Sequence, residues 1–264
     1  MTLTESNYYS READVRYLSV SQYKSFCGTY GMPGCEFQAM EKLAGRWVEP
    51  PNTAMLIGSY VDAWMDGPEE FEAFRASHPE MFKTDGTMKS TYAAGDRVIE
   101  RVSKDPYWMA RLQGEHQVIM TGELFGTEWK IKMDSYFPHA QIVDLKVVKS
   151  LKERKWVRDL GEHLSFIDYW GYDVQGAIYQ EIVRQNTGEK LPFFIIAADK
   201  GEHVDHDYFM IPQARLDEAL YKVQMHMGRL LRVKRGEEPP DRCETCGCCL
   251  ETKLVTRPKL IDEI

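Results

Sequence analysis

Residues 141–150, QIVDLKVVKS, set an aspartate and a lysine two positions apart inside an apolar, β-branched run. In a strand, alternation puts Ile142, Asp144, Lys146 and Val148 on one face and Val143, Leu145 and Val147 on the other. The two charges then share a face. A run this apolar reads as an interior strand, where a carboxylate and an ammonium are costly unless they pair or coordinate something. A second acid, Asp134, closes the upstream run LFGTEWKIKMD, in which Trp129, Ile131 and Met133 alternate with Lys130, Lys132 and Asp134. If the two runs are antiparallel neighbours, Asp134 comes close to Asp144. Two carboxylates and a lysine are the parts of metal-dependent phosphodiester hydrolysis. Asp134 and Asp144 supply hard oxygen ligands for Mg²⁺, with the backbone carbonyl of Leu145 a further ligand. Lys146 lowers the cost of forming hydroxide and stabilises the charged transition state. The competing reading is a structural Asp144–Lys146 ion pair.

The cysteines form a second constellation. Cys27 and Cys35 lie near the start, and Cys243, Cys246, Cys248 and Cys249 crowd near the end. In a chain read as cytoplasmic this points to metal before disulfides. The spacing Cys243-x-x-Cys246-x-x-Cys249 suits one metal or cluster, because a two-residue gap lets a tight turn aim both thiolates at one point. Cys248, adjacent to Cys249, must then point elsewhere. By contrast, GEHVDHDYF gathers His203, Asp205, His206 and Asp207, but alternation splits them between faces, and no metal site is expected there. Glu115 reads as a solvated glutamate, and Trp64, Trp108, Trp129 and Trp170 as core or rim aromatics.

The elements that must position these residues follow from periodicity. YLSVSQYKSF is a serine-capped helix, TAMLIGSYVDAWMDG a second ending near Gly67-Pro68, and STYAAGDRVIERVSKD a third. HQVIM and LFGTEWKIKMD read as a hairpin turning at TG, residues 121–122. YDVQGAIYQEIVRQ is a helix with Gln175 and Tyr179 at i and i+4 on one face. LPFFIIAAD and HDYFMI are strands, and QARLDEALYKVQMHMGRLLRVKRG is a long helix. The expected fold is α/β, a central mixed sheet flanked by helices. GEEPPD marks the best boundary, between a domain over 1–236 and a Cys-rich tail over 237–264 packing on it.

At 264 residues and 43% hydrophobic, the chain can bury a sizeable core. The net charge of −8 argues against a uniformly basic nucleic-acid coat. A local basic run does occur at Lys146, Lys149, Lys152, Arg154, Lys155 and Arg158. No run is long enough to span a membrane and the start lacks a signal-peptide pattern, so a cytoplasmic location is expected. No P-loop motif signals an ATP-driven motor.

KMDSYFPHAQIVDLKVVKS resembles the core motif of the PD-(D/E)XK nuclease superfamily, and YDVQGAIYQ resembles the Gln-x-x-x-Tyr helix of its RecB-like branch. LIGSYVDAW is similar to the helix preceding that core, with Asp62 where a histidine usually stands. Order and spacing most resemble the phage-type exonucleases around exodeoxyribonuclease VIII. The resemblance implies a restriction-endonuclease-like core. Asp134 and Asp144 become metal-binding acids, joined by Asp62, with Lys146 the catalytic lysine and Gln175 and Tyr179 active-site residues that position metal-bound groups or DNA. It implies a Mg²⁺- or Mn²⁺-dependent exonuclease that digests linear duplex ends and leaves single strands for an annealing partner. Ring-shaped homo-oligomers occur among related enzymes. The motif's usual proline is absent, Met133 preceding Asp134. Iron-sulfur nucleases of this superfamily clamp one early and three late cysteines together, which implies a site of Cys35, Cys243, Cys246 and Cys249 holding a 4Fe-4S cluster, with Zn²⁺ the runner-up. The alternative to an enzyme is a degenerate member that only binds DNA or protein.

Overall fold

The computed structural model of the protein describes residues 1–49, 52–255 and 258. Helices come first: α1 (Arg11–Arg16), α2 (Val20–Cys27), α3 (Glu36–Leu43), α4 (Thr53–Asp66), α5 (Pro68–Ser77), a 3-10 turn (Pro79–Met81), α6 (Ala94–Val102) and α7 (Pro106–Ala110). Strands β1 (Glu115–Leu124), β2 (Thr127–Phe137) and β3 (Gln141–Val148) follow, then a short hairpin of β4 (Lys155–Val157) and β5 (Glu162–Leu164). The chain continues through α8 (Phe166–Trp170), α9 (Tyr172–Thr187), β6 (Phe193–Asp199), β7 (His206–Met210), α10 (Gln213–Lys234) and α11 (Gly247–Glu251).

The main sheet has the order β1-β2-β3-β6-β7. Only β3 and β6 pair in parallel; the other neighbours are antiparallel. The fold is thus the expected mixed sheet flanked by helices. On one face Trp129, Ile131, Ile142 and Ile195 pack with Ile178 of α9 and Val223 of α10. On the other, Val143, Leu145 and Ile196 pack with Val61 of α4 and Val98 of α6. The parallel pair is buried on both sides, which is why β3 and β6 read as nearly continuous apolar runs.

Two local expectations are corrected. The first hairpin does not turn at residues 121–122, because β1 continues and Gly122 pairs with Trp129. The turn is at Phe125 and Gly126, whose φ of 52° and 82° supply the two positive values that a tight two-residue hairpin turn needs. Alternation along β2 is also not strict. Trp129, Ile131 and Met133 share one core cluster, but that same cluster next takes Tyr136, so the pattern slips by one residue at Asp134 and Ser135.

No described helix is long and apolar enough to cross a membrane.

Candidate active site

The slip in β2 belongs to a wider opening of the sheet around Asp134. Between β1 and β2, pairing runs from Glu115↔Tyr136 and His116↔Ser135 to Val118↔Met133, and Gln117, which would face Asp134, has no partner. Gln117 holds a left-handed φ of 52°, a strained state for a residue other than glycine that tends to persist at functional sites. Between β2 and β3, pairing ends at Ser135↔Val143, one step short of Asp134 opposite Asp144. Freed from the ladder, Leu145 N–H donates to Asp134 Oδ2 at 2.8 Å. Asp134 thus stands where both neighbouring strands release it.

Through this gap the two helical layers meet. From the α4 side, Asp62 joins Asp134 and Leu145 in lining a cavity of about 10 Å³, roughly one water-sized sphere. Asp66, His116 and Gln117 line its rim. From the α9 side, Gln175 Nε2 donates to Asp144 Oδ1 at 2.5 Å. The Lys146 ammonium pairs with Asp144 Oδ2. Tyr179 lies on the same helix face as Gln175, but its hydroxyl donates to the Lys132 carbonyl at 2.9 Å and so braces β2. Asp62, Asp134 and Leu145 thus share one cavity, while Asp144, Lys146 and Gln175 form a bonded set next to it on β3 and α9, with Tyr179 bracing β2 beside them.

The electrostatics of the cluster are those of excess negative charge. Burial, reinforced by Asp134 and then opposed by Lys146, drives the Asp62 carboxyl well above the usual carboxylate range. Burial and the Asp144 carboxylate push Asp134 up to about 7, against the pull of Lys146 and the Leu145 N–H. Burial works against the Lys146 ammonium, but Asp144, Tyr172 and Asp134 together outweigh it and hold the group charged. One lysine does not neutralise three acids, and a bound cation would make up the deficit. Three carboxylates and a backbone carbonyl are donors of the type a hard divalent ion takes; among the described residues these acids do not bring three ligand atoms within 4.8 Å of one another as the cysteines do, so an ion would have to draw them together.

Several neighbours gave no signal in the sequence. Gln117 Nε2 donates to both carboxylate oxygens of Asp66 at 2.9 Å, while its own Oε1 is buried without a partner among the described residues. Tyr172 presents its ring to Lys146, 5.0 Å from the ammonium. Lys24, from the serine-capped helix α2, also reaches the Tyr172 ring, with its ammonium 5.2 Å from the centroid. Residues set aside stay apart. Glu115 is exposed, His206 pairs with Asp105 at 3.0 Å, and Asp205 with Lys152 at 2.8 Å. Trp108 and Trp129 are buried.

The second centre lies at the chain's two ends. The sulfurs of Cys35, Cys243, Cys246 and Cys249 all lie within 4.8 Å of one another. Cys35 caps α3 with its sulfur, accepting from Gln38 N–H at 3.4 Å. Cys243 accepts from Cys246 N–H and Cys246 from Cys249 N–H, at 3.3 and 3.4 Å. Such N–H donors suit sulfurs that carry negative charge. Cys248 is buried beside them, outside the group of four.

Against known proteins, no curated protein matches the chain. A crystal structure from Eubacterium rectale, provisionally named an exonuclease, superimposes with a TM-score of 0.95 at 51% identity, covering 100% of this chain and 98% of that one. The crystal structure of the protein SSO0001, at 14% identity and a TM-score of 0.28 over 72% of this chain and 84% of that one, carries no argument. The family model described as PDDEXK-like domain of unknown function (DUF3799) matches residues 19–252. The chain, with its acids, lysine and opened sheet within that span, belongs to this PDDEXK-like family.

Proposed function

We propose that the protein is a divalent-metal-dependent deoxyribonuclease that degrades linear duplex DNA from its ends. The observation that carries this reading is the convergence of Asp62, Asp134 and Asp144 at a gap in the sheet, with two of the three acids driven upward in pKa by burial and by one another. A purely structural site would not retain such uncompensated acids, because unpaired buried charge is costly. A divalent ion held by these acids and the Leu145 carbonyl would polarise the scissile phosphate and ease formation of hydroxide at neutral pH. The chain's own groups do the rest. Gln175 fixes the Asp144 carboxylate through the 2.5 Å hydrogen bond. Lys146, kept protonated beside Asp144, presents positive charge where the phosphorane-like transition state gathers negative charge. Tyr179, through the Lys132 carbonyl, holds β2 in register for Asp134.

Action at ends rests on the name of the Eubacterium rectale relative and on the resemblance to phage-type exonucleases, which also supports a role in end resection ahead of a strand-annealing protein. The test is hydrolysis of one plasmid in linear and closed-circular forms with Mg²⁺ or Mn²⁺. Release of nucleotides from the linear form alone is expected. Equal attack on the closed circle would replace the exonuclease reading with an endonuclease one.

For the cysteines we propose a metal centre that ties the tail to the domain. A tetrahedral ion with 2.3 Å bonds to sulfur separates its ligands by about 3.8 Å, comparable to the 3.6 Å between Cys35 and Cys249 and the 4.0 Å between Cys243 and Cys249. A 4Fe-4S cluster holds its sulfurs farther apart and would need the four to spread. The observed spacing therefore favours a single ion such as Zn²⁺ over the cluster.

A further inference from the structure

Lys24 is a basic side chain that the proposed chemistry does not yet use. It lies on α2, which Ser19 caps by accepting from Gln22 N–H at 3.3 Å. Its stem packs against the turn between α8 and α9. There Gly171 holds a φ of 60°, and a Cβ would stand 3.6 Å from Lys24 Cε and 3.2 Å from Thr29 Cγ2. The stem is thereby directed to the ring of Tyr172, with the ammonium 5.2 Å from its centroid. Lys146 lies 5.0 Å from the same centroid. Among the described residues the Lys24 ammonium makes no hydrogen bond and no ion pair. The nearby Asp173 is committed elsewhere, accepting from Val174 N–H at 2.9 Å and facing Arg215 at 3.8 Å. Burial and the repulsion of Lys146 lower the Lys24 ammonium to about 7, despite the opposing pull of Asp144 and Asp173. A half-buried cation next to a second cation, with no anion of its own, is an expensive arrangement. An anion seated beside them would relieve it.

We propose that Lys24 and Lys146, which both lie over the Tyr172 ring, form a phosphate-binding subsite that holds a DNA phosphate next to the scissile one. This rests on the nuclease reading for the identity of the ligand, although the subsite itself is argued from Lys24, Tyr172 and Gly171. The shared chemistry is a phosphate oxyanion. Its source is either an internal diester of the strand or a monoester at the strand's end. Lys24 would be a binding residue, lowering the substrate's dissociation constant more than it raises turnover.

The experiment compares wild type, Lys24→Met and Lys24→Arg for binding two linear duplexes, one with and one without terminal phosphates, with Ca²⁺ in place of Mg²⁺ so that binding is read without turnover. Lys24→Met should weaken binding about tenfold and reduce the slope of log affinity against log salt by about one, with Lys24→Arg close to wild type. Loss on both duplexes supports an internal diester, and loss confined to the phosphorylated duplex supports a terminal monoester. Thermal melting should stay level or rise in Lys24→Met, since an unpaired cation is removed; if that protein does not fold, Lys24→Gln gives the same reading with a polar end retained. Unchanged affinity and salt slope in the folded variant overturn the subsite. If wild type binds DNA yet hydrolyses none with Mg²⁺ or Mn²⁺, the nuclease reading fails while the affinity comparison still decides Lys24. If wild type binds neither duplex, both fail.

Discussion

Asp134 is the residue on which the site turns, and its surroundings make a prediction about pH. The folded chain holds the Asp134 proton up to about 7, whereas an unfolded aspartate releases it near pH 4, so between these values the folded state binds the extra proton. Stability of the metal-free protein should then fall as pH rises through that window. Asp62 shifts the same way. Ion-paired carboxylates elsewhere act in the opposite direction at lower pH, so the difference between wild type and Asp134→Asn isolates the effect. In chelator-treated protein, Asp134→Asn should match wild type near pH 4 and melt several degrees higher near pH 8, and Mg²⁺ should raise the melting point of wild type only. Parallel melting curves across pH would show that Asp134 carries no such strain. At this scale Asp134, Asp144 and Lys146 could be singled out by residue type and spacing, which are local, although strand alternation slips at Asp134 itself. Gln117 and Lys24 were not legible. A positive φ leaves no trace in a glutamine, and Lys24 reaches the site only through the fold.

At the scale of elements, α9 decides whether Gln175 reaches Asp144. Gly176, the next residue, lies against β6 and α10 so closely that a Cβ would come within 2.4 Å of Phe193 Cδ1 and 2.9 Å of Leu216 Cδ2. Both neighbours are buried and have no room to yield. Gly176→Ala should lift α9 from the sheet, costing about 1–3 kcal/mol of stability and lowering turnover through Gln175 although Gly176 touches no substrate. Thermal melting beside kcat checks this, and an alanine variant with both unchanged would show that α9 is positioned some other way. The helix itself was readable from its apolar stripe, and so were α4 and α10. The β4–β5 hairpin was not, because its strands are three residues each and their basic side chains look like solvated loop. The turn at Phe125 was missed because a phenylalanine in a left-handed conformation defies its propensity.

At the scale of the whole molecule, the two ends of the chain close on each other. Phe37 N–H donates to the Asp241 carbonyl at 3.0 Å, Arg229 joins Glu36, Glu238 and Asp241, and Arg242 stacks 4.1 Å over Phe37. The four sulfurs lie at the end of this seam. Of the expected tail, residues 237–255 and Pro258 are described and the rest falls outside the described residues; Leu254 and Val255 are exposed beyond the seam. Cys35→Ser should release the metal and lower the melting point, since a metal bound only by the folded state stabilises it by mass action. Metal analysis with visible absorption identifies the occupant: zinc with a colourless protein is expected, iron with a brown one would favour the cluster, and neither metal would remove the centre. The mixed sheet with its flanking helices followed from the run of periodic segments, whereas the parallel pairing of β3 with β6 that sets the strand order did not. The spacing among sulfurs far apart in the chain did not, since no local pattern sets it. The central claim is that the acids at the opened sheet hydrolyse DNA through a divalent ion, and one measurement bears on it most directly. Wild type and Asp144→Asn, both shown folded by melting, are compared for nucleotide release from linear duplex DNA with Mg²⁺. Release by wild type, falling at least a thousandfold in Asp144→Asn, is predicted; a wild type that releases nothing with Mg²⁺ or Mn²⁺, or an Asp144→Asn protein as active as wild type, would contradict it.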